Sequence, residues 1–297
     1  MLKPMNCPAH VQIFNSNMVS YRDLPIRLAE FGCCHRNEPA GSLHGIMRLR
    51  QFVQDDAHIF CREDQIQNEV EAFCRLLKEV YEEFGFQDIS VAISLRPANR
   101  SGSNELWDRA EAELIRAVEA VGLEYVLQPG DGAFYGPKLE YALKDSMERI
   151  WQCGTLQLDF VLPGKLDAYY VNEQGKQIQP VMIHRAILGS MERFIGILLE
   201  HYEGRLPDWL APVQDVIIPI SSEQYQYAEI VVESLRANGR RAVMDLKEAS
   251  LMSKVRKYSE QFIPRIIVVG AKEELAQQAS VRRLGSSQPE VVELAKL

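Results

Sequence analysis

The sequence predicts two units: an α+β domain built on an antiparallel sheet over residues 1–207, then a small α/β domain with a mixed, largely parallel sheet over 208–297. Three observations carry this. Strand-like segments at 26–35, 46–60, 89–95, 138–142 and 156–161 include neighbours with no helix between them, as antiparallel pairing permits. Helical periodicity is clear at 62–84, 104–121 and 184–201. Beyond 204–213, where Pro207 and Pro212 break any helix running in from 182–202, short apolar runs alternate with amphipathic stretches.

Each element has a local reason. In 62–84 the apolar residues Val70, Phe73, Leu76, Leu77, Val80 and Tyr81 recur at helical spacing. In the second unit the segments in order are 216–220, 222–237, 241–244, 250–262, 265–269, 279–282 and 289–297. Ser222 is placed to cap a helix and Asn238-Gly239 to stop it. There is no internal repeat or low-complexity tract.

Composition narrows the class. With 297 residues, 46% hydrophobic and 25% charged, the chain is neither disordered, collagen-like nor coiled coil. It contains no run of eighteen apolar residues, and its first residues lack a secretory layout, so the expectation is a cytoplasmic protein without a membrane partner. The net charge of −8 argues against broad attraction to DNA. Residues 1–211 hold 21 Lys+Arg against 30 Asp+Glu, and 212–297 hold 12 against 11, so the two units carry −9 and +1 and are expected to meet different partners. Six cysteines, at 7, 33, 34, 61, 74 and 153, form no CxxC pair and read as reduced thiols, with Cys7 set apart.

The most informative stretch is 48–60. As a strand, it puts Arg48, Arg50, Phe52, Gln54, Asp56 and His58 on one face and Leu49, Val53, Ala57 and Ile59 on the other. The polar face offers an anion contact, a stacking plane, hydrogen-bond partners and a metal ligand in succession, where a merely solvated face would also be polar. Upstream, Arg36 and Glu38 share a face if the chain is extended there, although Arg-x-Glu alone is a common surface ion pair.

Phe31-Gly-Cys-Cys-His-Arg-Asn-Glu-Pro39, its loop and the returning strand resemble motif 2 of the class II aminoacyl-tRNA synthetases, and 181–193 resembles their motif 3. Together with Met5-Asn6-Cys7-Pro8-Ala9-His10, Gln54-Asp55-Asp56-Ala57-His58 and Met182-Ile183-His184-Arg185, they resemble the threonyl-tRNA synthetases. The likeness covers 1–211 and continues more weakly into an anticodon-binding domain.

The resemblance implies a zinc ion held by Cys7, His58 and His184, with open coordination positions for threonine. His10, His35 and His44 are equally available by composition; only the motif contexts select the three. Gln54, Asp56, Tyr135 and Gln157 would line the threonine pocket, with Asp56 accepting from the hydroxyl. For ATP, with Mg2+ on its phosphates, Arg36 would meet the α-phosphate, Arg193 the γ-phosphate and Arg48 a further phosphate. Phe52 would stack on adenine, Glu38 accept from its amino group, and Lys138 approach the α-phosphate. Gln152 and Thr155 would border the ribose. Glu273 and Arg282 match positions of anticodon contacts.

The sequence also departs from the family. The resemblance places a motif 1 segment, which builds a homodimer interface in the family, and an editing domain before Met5, and this sequence does not contain them; an N-terminally truncated catalytic domain with an exposed apolar surface and sheet edge is the expectation. Residues 245–252 replace a polar, basic segment with Asp-Leu-Lys-Glu-Ala-Ser-Leu-Met. Ala9 and Gln51 stand where glycine is usual. The expected function is ATP-dependent formation of threonyl-adenylate and transfer of threonine to tRNA(Thr), an aminoacyl-tRNA ligase activity. The alternatives are a non-catalytic module that binds RNA or a partner, and a paralogue for another hydroxy amino acid.

Overall fold

The computed structural model describes residues 2–286 and 288–297, which divide into two compact units on either side of the boundary between His201 and Tyr202. In the first unit the elements in chain order are α1 (Cys7–Asn15), β1 (Val19–Ser20), β2 (Ile26–His35), β3 (Gln51–Cys61), α2 (Ile66–Glu83), β4 (Ser90–Ser94), α3 (Asn104–Val121), β5 (Val126–Gln128), β6 (Lys138–Lys144), β7 (Ile150–Asp159), α4 (Leu162–Lys165), β8 (Tyr170–Val171), β9 (Gln177–Ile178), β10 (Val181–Ala186) and α5 (Met191–His201). Among the described residues the main sheet has the order β2-β3-β10-β7-β6-β4-β5, antiparallel throughout except at β4–β5. The expected antiparallel sheet is present.

Packing explains the helices. The apolar stripe of α2 buries Val70, Phe73, Leu77 and Tyr81, and α3 buries Trp107, Leu114 and Val118. Ser103 caps α3 by accepting from Leu106 N–H, and Gly122 ends it at φ +72°, where a Cβ would be strained. The edge strand β2 alternates exposed and covered positions, and Phe31 stands 73% exposed on it.

Three expectations need correction. Residues 184–201 are not one helix: β10 runs to Ala186, a turn follows, and α5 begins at Met191. The central strand at 181–186, apolar except for His184 and Arg185, shows no alternation, so helix and strand cannot be separated locally. The strand expected over 46–60 begins at Gln51, because 44–48 folds back with His44 N–H and Arg48 N–H each bonded to the other's region, so Arg48 and Arg50 lie ahead of the strand. The segment 156–161 belongs to a longer β7 that starts at Ile150. Ala9 sits inside α1 and needs no positive φ, and Gln51 is exposed, so both replacements of glycine are accommodated.

The turn between β10 and α5 is held by one carboxylate. Asp55 accepts from Ile187 N–H (2.7 Å) and Leu188 N–H (2.9 Å) through Oδ2, and from Gly189 N–H (2.8 Å) through Oδ1. Burial raises its pKa, and those three bonds oppose the rise. Gly189 itself has φ +75°, and a Cβ there would come within 2.5 Å of the Cys153 carbonyl oxygen.

The second unit comprises β11 (Asp215–Pro219), α6 (Tyr225–Ala237), β12 (Ala242–Met244), α7 (Leu251–Glu260), β13 (Arg265–Val269), α8 (Ala271–Ala276), β14 (Gln278–Arg283) and β15 (Glu290–Glu293). Its sheet, β12-β11-β13-β14-β15, is parallel over the first three strands and antiparallel over the last three. Every residue of β11 is buried, as helices on both faces require: Ile217 packs toward Val231 and Leu235 of α6, Val216 and Ile218 toward Val255 and Tyr258 of α7. Buried Asp215 is charge-paired with Arg240 and Arg265. Asn238 and Gly239 end α6 as expected, whereas Ser222 opens a 3-10 turn and α6 starts at Tyr225. The short helix α8 was not legible in the sequence.

Replacing Asp55 by alanine leaves three inward N–H groups without their acceptor. Asp55→Ala is expected to lower the stability of the first unit by about 3 kcal/mol, read from urea unfolding; an unchanged midpoint would show that water satisfies the turn equally well.

Candidate active site

A cavity of about 710 Å³ opens on the polar face of the main sheet. The sheet register builds its floor. Lys138 pairs with Gln157, Gln157 with His184, and His184 with His58, so one cross-strand row on β6, β7, β10 and β3 presents four functional side chains. On β3 the expected alternation holds from Gln51 onward: Phe52, Gln54 and Asp56 line the cavity, and His58 lies behind it, fully buried.

One end of the cavity is a nitrogen and sulfur cluster. Cys7 Sγ, the first residue of α1, lies 3.4 Å from His184 Nδ1, and His58 Nε2 lies 3.0 Å from the same atom. The three candidate ligand atoms fall within 4.8 Å of one another. Imidazole nitrogens at ~2.0–2.1 Å and a thiolate at ~2.3 Å from a tetrahedral zinc ion are ~3.3 Å and ~3.6 Å apart, so the donor set fits. Soft sulfur with two imidazoles suits zinc, whereas magnesium and calcium take oxygen ligands. Burial beside His184 and His10 lowers the His58 pKa to about 2, keeping the ring neutral as a ligand must be. Burial also works against charge on His184, but hydrogen bonds to Asp159 and Cys7 outweigh it and raise its pKa to about 9, so a metal ion bound at Nδ1 takes the place of a proton there. Its Nε2 meets Asp159 Oδ2 at 3.0 Å, and Asp159 Oδ1 accepts from Val161 and Leu162 N–H. A carboxylate behind a ligating histidine orients the ring.

Next to this cluster, Asp56 Oδ2 accepts from Asn6 Nδ2 at 2.9 Å, and Oδ1 stands 3.9 Å from His58 Nε2. Burial raises the Asp56 pKa, opposed by the Asn6 bond and by His184 and His10. Asn6 needs the bare backbone of Gly32 beside it, where a Cβ would come within 2.3 Å of its amide. Tyr135 O–H donates to Gln157 Oε1 at 2.7 Å, and burial raises its pKa to about 12.

The opposite end of the cavity is cationic. Arg36 lies 5.1 Å over the Phe52 ring, a cation–π arrangement. Arg48 is bonded to Glu38 Oε2 at 2.9 Å, so Glu38 is already engaged. Arg193 donates to the carbonyls of Met47 (2.8 Å) and Gln152 (2.7 Å) and lies over Trp151, and burial lowers its pKa. Lys138 Nζ pairs with Glu140 Oε1 at 2.8 Å, and Thr155 Oγ1 donates to the Leu139 carbonyl. Gln152 and Thr155 line the same wall.

Every first-unit residue to which the resemblance gives a ligand contact therefore lies at this cavity or, for His58, directly behind it, whereas Arg50, expected on the same face as Arg48, does not line it and donates to the Glu38 carbonyl. Glu273 and Arg282 lie in the other unit, on α8 and β14; the Glu273 carboxylate accepts from Gly270 N–H and caps its own helix. In the divergent segment, Asp245 is buried and held by Tyr258 O–H and Lys247 N–H, so it is part of the core of that unit. Sequence reasoning missed Asn6, Asp159 and Asp55, whose roles come from contacts across 25 to 134 positions of chain. Arg185, next to His184 on the motif 3 strand, points to the other face of the sheet, where its guanidinium lies 5.9 Å over the Phe73 ring of α2.

Residues 1–202 match the tRNA synthetase class II core domain (G, H, P, S and T), and 214–297 match an anticodon-binding domain. Curated proteins named threonine–tRNA ligase include one from Paramagnetospirillum magneticum, 58% identical over 99% of this chain, and one from an Azoarcus species, 57% identical over all of it. The chain spans 46% of the length of each of these relatives. Among solved structures, one described as the RNA-binding domain of threonyl-tRNA synthetase from Cryptosporidium parvum superposes with a TM-score of 0.92 at 41% identity, covering 99% of this chain and 74% of that one. A threonyl-tRNA synthetase described as putative, from Aeropyrum pernix, gives 0.80 at 33% identity, covering 98% and 69%. Among the described residues no helix is long and apolar enough to cross a membrane. With the class II core matched over two thirds of its length and two threonyl-tRNA synthetase structures superposing on nearly all of it, the chain belongs to the threonyl-tRNA synthetase family of class II aminoacyl-tRNA synthetases.

Proposed function

We propose that this chain activates L-threonine with ATP and transfers the threonyl group to the terminal adenosine of tRNA(Thr). The observation that carries this reading is the convergence of Cys7, His58 and His184 at one end of a cavity whose other end holds Arg36, Arg48 and Arg193. A zinc ion on the Cys7, His58 and His184 donors would supply a Lewis-acid anchor for the amino and hydroxyl groups of threonine.

The chain's own residues complete the task. Asp56 Oδ1, on the side toward that anchor, would accept a hydrogen bond from the threonine hydroxyl, a bond that the nearly isosteric valine cannot make; with valine that one carboxylate oxygen is left without its donor, while Oδ2 keeps Asn6. Tyr135 and Gln157, joined to each other, close the side of this pocket. Phe52 offers a stacking plane for adenine, and Glu38 an acceptor for its amino group once Arg48 turns to phosphate. Gln152 and Thr155 border the ribose.

Activation needs no general base, since the threonine carboxylate is ionised at neutral pH. Its oxygen attacks the α-phosphorus as the bond to the bridging oxygen breaks and pyrophosphate leaves. Arg36 and Lys138 stabilise the charge gathering on the α-phosphate, Arg193 and Arg48 hold the leaving phosphates, and Mg2+ accompanies ATP. In the second step a ribose hydroxyl of the terminal adenosine attacks the threonyl carbonyl and AMP leaves. The second unit, with Glu273 on α8 and Arg282 on β14, is the surface proposed to meet the anticodon; its near-zero net charge makes recognition depend on shape and base contacts.

Threonine-dependent ATP–pyrophosphate exchange tests the reading. Exchange is expected with one zinc per chain, and His58→Ala is expected to lose both metal and exchange; a metal-free but active protein overturns the zinc assignment. No exchange with zinc present, alongside an active longer relative, would favour a non-catalytic module. Arg36→Ala removes a guanidinium that lies over the Phe52 ring at the cavity wall, so exchange should fall by about 100-fold or more with unchanged thermal unfolding. Asp56→Asn should lower kcat/KM for threonine by about 10- to 100-fold, while leaving the slow use of valine nearly unchanged; equal losses for both substrates would remove Asp56 from the hydroxyl contact.

A further inference from the structure

Behind the Cys7, His58 and His184 donors lies a set of polar groups that the function above does not use. His10, one turn of α1 beyond Cys7, is 4% exposed. Its Nδ1 lies 2.7 Å from His58 Nδ1, with the rings edge to face at 4.8 Å. Its Nε2 lies 3.3 Å from Glu30 Oε1 on β2, and Glu30 in turn sits 3.7 Å from Lys3 Nζ. The row therefore runs from the wall of the cavity, through the core, to a carboxylate at the partly exposed edge strand.

Donor and acceptor capacities fix where the protons sit. A carboxylate only accepts, so the proton between His10 and Glu30 is carried on His10 Nε2. With its single ring proton on Nε2, His10 has a bare Nδ1 that can only accept, and His58 then makes the 2.7 Å contact by donating from its own Nδ1. That leaves the lone pair of His58 on Nε2, the atom that faces His184 Nδ1 at 3.0 Å. The opposite tautomer has a competitor for its proton, because Asp56 Oδ1 stands 3.9 Å from the same Nε2. In that tautomer the nitrogen aimed at the cluster would carry a hydrogen and could not ligate. Asp159 performs the matching task on the other side, facing His184 Nε2 and directing Nδ1 toward the cluster.

We propose that His10 and Glu30 are positioning residues for metal binding: a buried imidazole relay that holds His58 with its proton on Nδ1 and fixes its ring plane, so that the Cys7, His58 and His184 donors are pre-formed for Zn2+. This rests on the zinc reading above. Outer partners of this kind act through the ligand they hold, and removing one costs about 10- to 100-fold in metal affinity. The relay touches neither substrate nor metal.

The test uses the full chain and two readouts besides activity: Zn2+ affinity by competition with a chromogenic chelator, and the absorption spectrum of the Co2+-substituted protein. His10→Phe keeps ring volume and removes the acceptor. Glu30→Leu removes the far acceptor from the partly exposed strand without entering the core, and Glu30→Gln retains an accepting oxygen. Zn2+ affinity is expected to fall about 10- to 100-fold in His10→Phe, to fall less in Glu30→Leu, and to be largely restored in Glu30→Gln. The Co2+ spectra should keep the thiolate charge-transfer band and tetrahedral intensity of the parent, since the ligands are unchanged. If His10→Phe does not fold, the contrast between Glu30→Leu and Glu30→Gln decides. Wild-type Zn2+ affinity in both His10→Phe and Glu30→Leu overturns the relay while leaving the zinc site standing. A parent chain that binds neither Zn2+ nor Co2+ overturns the zinc reading and the relay with it.

Discussion

The site depends first on strand register. Lys138, Gln157, His184 and His58 meet because β6, β7, β10 and β3 are paired in one frame, with His184 opposite both Gln157 and His58. Side chains alternate between faces, so a slip of one residue in β10 would carry His184 to the other face and bring Arg185 or Ile183 in its place. The register is protected by burial: Ile59, Phe60, Leu156, Leu158, Met182 and Ile183 are all in the core, and a slip would expose some of them and bury charge. The chemistry is therefore set by the same apolar packing that stabilises the sheet.

Buried carboxylates do the finer positioning. Asp55 gathers three N–H groups of the β10–α5 turn, which brings Arg193 to the cavity. Asp159 gathers two N–H groups with one oxygen and faces His184 with the other. Asp145 accepts from Trp151 Nε1 and Arg149, and Trp151 carries the Arg193 guanidinium above its ring. Each carboxylate is costly to bury alone and is offset by directional donors, so its position is tightly determined and transmits that order to the neighbouring cation or imidazole. The cavity thus has a cationic end and a nitrogen and sulfur end, each braced from behind by acids.

Legibility followed the range of the interaction. The polar face of 52–58 could be read because alternation is a property of consecutive residues, and the α2 and α3 stripes because helical spacing is also local. The helix expected over 184–201 takes in the end of β10 because a central, largely buried strand has no alternating signature, and Gly189 marks its junction with α5. Arg48 reached the cavity although it precedes β3, through a turn at 44–48 that pattern alone does not show.

The sequence by itself determined the fold class, the break before the second unit, and the chemistry available in each motif, since these depend on local propensity and on residue types present in a fixed order. Tertiary structure alone decided which groups meet. His10 and Glu30 are 20 positions apart, and His10 and His58 48; nothing local distinguishes His10 from His35 or His44 as a partner of His58. Only the docking of α1 against β2 and β3 closes those gaps, because a relay of polar contacts is specified by distances of about 3 Å that sequence separation does not encode.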